Sequence, residues 1–220
     1  MSAGPRRALP LTTATAALAA DLRDRILDNE LPPGARLVER ELVETYDVAR
    51  HTVRGALREL QAEGLVRIEP HRGASVARLE PEALQGLYDL RAALELEAAH
   101  RALERNGGRT PDEVREAMTG LGRLCRRRGV PWHQVVDAHE QAHTTLVEAG
   151  GSPRILHAYG QLSAELRLFT VALRPGFSMR FMAEQHEALP DELDAEGVPA
   201  LRRHLEHGAR TVRAVLERGG

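Results

Sequence analysis

The stretch from Leu37 to Gly73, LVERELVETYDVARHTVRGALRELQAEGLVRIEPHRG, admits few folds, because two helical segments parted by a short turn run straight into two brief alternating segments. The first helix, Val38 to Thr45, sets Leu42 and Val43 on its apolar side, and Tyr46-Asp47-Val48 supplies the turn. The second, Ala49 to Glu63, buries Val53, Ala56, Leu57 and Leu60 and aligns Arg50, Arg54 and Arg58 at i, i+4 steps on the opposite face. No acidic residue lies between Arg50 and Arg58, so the face presents a run of uncompensated forked donors that suit phosphate oxygens and guanine edges. Gly64 ends the helix, and Leu65–Ile68 and Ala74–Ala77 alternate like two strands about a Pro70-His71-Arg72-Gly73 tip. The pattern predicts a winged helix-turn-helix, with double-stranded DNA as its partner.

At 220 residues the chain is far longer than this unit requires, so a second domain follows it. Formal net charge is −2, and the first 79 residues hold twelve arginines against eleven acids, so affinity for a polyanion must come from local placement of charge. One cysteine, Cys125, excludes an internal disulfide and fits a reducing cytoplasm; flanked by Arg126, Arg127 and Arg128, it is also a candidate redox-sensing thiol. Residues 1–16 read as a flexible lead-in, because Thr12, Thr13 and Thr15 interrupt any apolar export signal. No run approaches the length that spans a membrane. The DNA-binding unit then covers 17–79, and 80–220 reads as an all-α antiparallel bundle of six helices, making the whole chain mainly α. Their expected spans are Glu82–Arg105, Pro111–Arg128, Pro131–Ala149, Pro153–Leu173, Met179–Leu189 and Val198–Arg218. In the first of them Leu84, Leu87, Leu90, Leu94 and Leu103 form a stripe that suits packing within the domain or against a second subunit.

The third bundle helix carries His139-Glu140-Gln141-Ala142-His143. Two histidines at i, i+4 project from one face, so both imidazoles can reach one metal ion. The same letters spell H-E-x-x-H, in which a zinc hydrolase uses the Glu to polarise water. Neither usual continuation follows: Leu146 and Ala149 stand where the longer metalloprotease pattern has Gly and His, and Glu165 is the sole obvious third ligand.

From Ala17 onward the first unit resembles the GntR family of bacterial transcription regulators, through ALAADLRDRILDNELPPGARLVERELVETYDVARHTVRGALRELQAEGLVRIEPHRGASV. The resemblance implies that Arg40, Arg50, His51, Thr52 and Arg54 meet DNA, with Arg72 and Gly73 at the wing tip. Ala49 replaces the family's usual Ser or Thr and Gly55 its usual Glu, each change costing the helix about 1 kcal/mol and leaving it softer until DNA orders it. The second unit is similar to the FCD effector domain of one GntR branch, through YDLRAALELEAAHRA, HEQAHTTLVEAGGSPRIL, AEQHEAL and LRRHLEH.

In that branch an Asp and a His one turn apart join two later histidines around a divalent metal. Carried over, the ligands are His143, His186 and His204, with His139 in the place of the Asp and His207 competing with His204. Asp137 is the fallback oxygen ligand, but it lies about 200° around the helix from His139. Four imidazoles favour zinc, with nickel or copper as alternatives, over manganese. The resemblance further implies a small carboxylate effector, with Arg91 as a second contact unless it pairs with Glu95. The expectation is a homodimeric, ligand-responsive cytoplasmic repressor and no enzyme; the alternatives are a direct metal sensor and a zinc hydrolase using HEQAH.

Overall fold

The computed structural model describes residues 13–78, 81–173 and 178–219. Most of the expected lead-in, the boundary at 79–80 and the expected break at Arg174-Pro175-Gly176 lie outside them.

The first helix, α1 (Ala14–Leu27), begins inside the stretch read as a lead-in. Thr13 caps it, its hydroxyl accepting the Ala16 N–H at 3.1 Å, and Leu18, Leu22 and Ile26 anchor it in the core. After β1 (Arg36–Leu37) come α2 (Glu39–Tyr46) and α3 (Arg50–Ala62), turned by Asp47 in the left-handed region at φ 48°. The wing is β2 (Val66–Glu69) and β3 (Gly73–Val76), and β1 completes an antiparallel sheet of order β1-β3-β2, with Leu37 opposite Ala74 and Ile68 opposite Ala74 on the other side. A two-residue strand such as β1 carries no periodicity, so it was not predictable locally.

Gly55 has a tertiary reason. A Cβ built there would stand 2.7 Å from Thr15 Cγ2 on α1, so the glycine lets α1 and α3 approach closely. Ala49 makes no side-chain cap bond, as its type dictates.

The second domain holds seven helices among the described residues: α4 (Pro81–Arg105), α5 (Asp112–Cys125), α6 (Trp132–Ala149), α7 (Pro153–Gly160), α8 (Ser163–Leu173), α9 (Met179–Glu196) and α10 (Val198–Gly219). The expected helix from Pro153 to Leu173 is thus two, parted at Gln161-Leu162, while α9 runs past its expected end through the buried Pro190. That proline withholds one helical donor, but its own carbonyl accepts the Thr110 hydroxyl at 3.0 Å, and Asp194 one turn on accepts the Thr110 N–H at 2.6 Å. Gly197, at φ 70°, then ends α9 and lets α10 turn back beside it. The leucine stripe of α4 divides: Leu84 and Leu87 are buried, and Leu90 is 48% exposed. Helix α1 packs on α6 and α8, joining the two domains.

Candidate metal centre and DNA-binding face

Helix α6 places His139 and His143 one turn apart, and α9 lays His186 beside them. All three are buried, and one ligand nitrogen from each lies within 4.8 Å of the others. His204 on α10 joins the cluster, its ring centroid 4.7 Å from that of His186 and 5.5 Å from that of His143. His207 lies tilted against Phe181, ring centroids 5.2 Å apart, on the wall of the same cavity, so of the two competitors it is His204 whose ring contacts those of His143 and His186.

Each of the three buried rings has its Nδ1 engaged. His143 donates from Nδ1 to Glu95 Oε2 at 2.8 Å, and His186 donates to the Met182 carbonyl at 2.8 Å. His139 Nδ1 stands 3.3 Å from Thr170 Oγ1, whose own proton goes to the Leu166 carbonyl at 3.0 Å, so the ring is the donor. The Nε2 atoms of His143 and His186 are buried with no hydrogen-bond partner. Burial pushes His139, His143 and His204 well below the ordinary imidazole range and His186 down to about 4. The rings are therefore neutral, and His139, His143 and His186, each with Nδ1 engaged, carry the lone pair on Nε2, the form in which imidazole binds a metal.

The carboxylate beneath His143 was missed as a site residue. Glu95 is fully buried and also accepts from Arg91 Nε at 2.6 Å and Tyr159 Oη at 2.9 Å. Arg91 is 5% exposed, lies 5.5 Å over the Phe169 ring and lines the cavity beside His139, His186 and His204. Its Nε is thus committed to Glu95, the pairing left open at the sequence level. That cavity offers only about 20 Å³, room for an ion or a water molecule.

The remaining acids point elsewhere. Arg167 holds Glu140 at 2.6 Å and also binds Asp137, while Ser163 donates to Glu140 as well. Neither carboxylate is free to serve a cation, which removes both the fallback ligand and the general base that a hydrolase needs. Glu165 is exposed in a crevice between α8 and the wing, not at the histidines. Burial pushes the Cys125 thiol up to about 11, outweighing the lowering by Arg126, which itself pairs with Glu187; this is the opposite of a reactive thiolate.

On the other domain Arg40, Arg50, His51, Arg54, Arg72 and Gly73 are exposed, whereas Thr52 is 7% exposed and belongs to the packed face of α3. The arginine face is not uncompensated, because Glu39 at the start of α2 holds Arg54 Nε at 3.0 Å. Arg36, absent from the expected residues, lines one groove with Arg58 of the expected arginine face and with Arg54 and Arg72, between α3 and the wing.

The model for the bacterial regulatory proteins of the gntR family matches residues 14–76, and that for the FCD domain matches 86–210. The chain belongs to the GntR family of bacterial regulatory proteins. An HTH-type transcriptional regulator, BphR, of Paraburkholderia xenovorans (strain LB400) is 31% identical over 204 residues, covering 87% of this chain and 82% of its own. A protein described as the probable D-xylose utilization operon transcriptional repressor of Paenarthrobacter nicotinovorans is 28% identical over 191 residues, covering 85% and 83%. Among solved structures, a GntR transcriptional regulator from Rhodococcus sp. RHA1 superposes with a TM-score of 0.66 at 28% identity, covering 94% of this chain and 99% of that one. This GntR-family protein is therefore a DNA-binding transcription regulator and not an enzyme. Among the described residues no helix is long and apolar enough to cross a membrane.

Proposed function

We propose that the chain is a homodimeric repressor whose operator binding responds to a small carboxylate effector at a divalent metal, zinc foremost, held by His139, His143, His186 and His204. The observation that carries the reading is the set of three buried neutral imidazoles, His139, His143 and His186, whose Nδ1 atoms are tied back while the Nε2 atoms of His143 and His186 have no partner. Buried orphan acceptors cost free energy unless something satisfies them, and a soft nitrogen donor set favours zinc, nickel or copper. When bound, a divalent cation supplies a Lewis-acidic centre that an anionic ligand can approach. Glu95, Met182 and Thr170 would hold the three rings in place for it.

Arg91 supplies fixed positive charge beside the cluster, consistent with a carboxylate effector, but a cavity of about 20 Å³ admits no organic acid without opening. The same volume favours a second reading, in which the metal is itself the signal. On the DNA side, Arg40, Arg50, His51, Arg54, Arg72 and Gly73 would face the duplex, α3 entering a major groove and the wing tip lying alongside. The exposed Leu90 on α4 is available to a second copy, whose dyad would match two half-sites.

One set of measurements tests the whole: elemental analysis after chelation and zinc reloading, beside anisotropy titration with a duplex selected from a random pool. Wild type is expected to retain near one metal per chain (about 1:1). His143→Ala should lose it, and Arg54→Ala should keep the metal and lose DNA affinity. Metal retained by His143→Ala would sink the site, and unchanged DNA binding by Arg54→Ala would sink the recognition-helix assignment.

A further inference from the structure

Asp28 occupies an awkward place on its own helix. It is the C-cap of α1, where the negative end of the helix dipole disfavours a carboxylate. Its side chain serves another helix instead. One oxygen accepts the His133 backbone N–H at 2.8 Å, and the other meets His133 Nδ1 at 2.8 Å. His133 is in the first turn of α6, whose own N-cap, Pro131, makes no side-chain bond. The DNA-binding domain thus supplies the cap that α6 lacks, at the end where a carboxylate is favoured.

Helix α6 is also the helix that carries His139 and His143. About 9 Å of helical rise separates His133 from His139, and no Gly or Pro interrupts α6 from Trp132 to Ala149. The other bundle helix on α1, α8, brings Thr170 to His139. Two bundle helices that pack on α1 therefore meet at the same imidazole, α6 carrying His139 and α8 the hydroxyl beside it.

We propose that Asp28 couples the histidine cluster to the placement of the DNA-binding domain: ordering of α6 through its two imidazoles strengthens the turn that Asp28 caps, and docking of α1 on that turn favours the ordered cluster in return. The inference rests on the cluster being a metal site. Linkage requires the two effects to be equal, so loss of the cap must weaken metal binding by the factor by which metal strengthens the Asp28 contact.

The test uses the full chain with zinc ion as the probe, in wild type, Asp28→Ala and Asp28→Asn. Zinc affinity is read by competition with a chromophoric chelator, and docking by hydrogen exchange across residues 20–28 with and without zinc. Zinc is expected to slow exchange there in wild type. Asp28→Ala should lose that slowing and bind zinc about 5-fold more weakly or worse, with Asp28→Asn, which keeps an acceptor oxygen, in between. If the alanine variant does not fold, the asparagine variant carries the same criteria. Unchanged zinc affinity, or zinc-dependent slowing that survives, overturns the coupling and leaves the metal site standing. A wild type that takes up no zinc overturns the metal reading and the coupling with it.

Discussion

Glu95 shows how much one buried side chain organises. It takes three donors at once: Arg91 and Tyr159 on one oxygen and His143 on the other. An amide in its place cannot do this, because one end becomes a donor. Turned toward His143, that donor forces the ring proton onto Nε2, the wrong nitrogen for a metal; turned the other way, it faces Arg91 and Tyr159. Glu95→Gln should therefore weaken zinc binding about 10- to 100-fold, and should also lower thermal stability, because Arg91 is left buried beside an uncharged partner. Competition titration on the folded variant checks the first effect, and unaltered affinity would mean that Glu95 does not set the His143 tautomer. On the DNA face the equivalent lesson is Arg54, whose guanidinium is held by Glu39 from a neighbouring helix.

Among the elements, α3 departs most from what its own residues recommend. An interior glycine costs a helix about 1 kcal/mol relative to alanine, so Gly55→Ala would stabilise an isolated helix. Here the new methyl would meet Thr15 Cγ2 at 2.7 Å, and a β-branched side chain has few rotamers with which to yield. Gly55→Ala alone is expected to destabilise the domain, whereas Gly55→Ala with Thr15→Ala should recover the helical gain. A double-mutant cycle in urea measures this, and additive effects would dismiss the close approach as the reason for glycine. Helix α9 makes the same point differently: Pro190 reads as a stop, yet the Thr110 contacts carry the helix through it to Glu196.

For the whole molecule, the Asp28–His133 pair ties the two domains with a definite pH signature. Burial alone would lower His133, but its bond to Asp28 and the nearby Asp24 and Asp137 outweigh that and raise it above 6.5. Burial alone would raise Asp28, but the bonds from His133 outweigh it and lower it below 3.8. The histidine's contribution is complete below 6.5 and is lost as pH rises through its raised folded value. The carboxylate's is complete above 3.8 and is lost as pH falls through its lowered folded value. The difference in thermal midpoint between wild type and Asp28→Asn, both in chelator, should be greatest between those two values and shrink on either side. A difference that does not vary with pH would mean the pair contributes no charge-dependent link.

Local spacing determined what lies within a turn or two along the chain: the arginine face of α3, the i, i+4 pair His139 and His143, and the breaks at Gly107-Gly108 and Gly150-Gly151. These depend on helical periodicity and on backbone freedom, which the chain carries in itself. Which imidazole nitrogen is free, why His204 rather than His207 joins the cluster, and what caps α6 depend on partners far away in sequence. His143 meets Glu95 across 48 residues, and His133 meets Asp28 across 105. Only packing brings such groups to hydrogen-bond distance, and only burial makes the lone pair of a histidine an acceptor that must be satisfied.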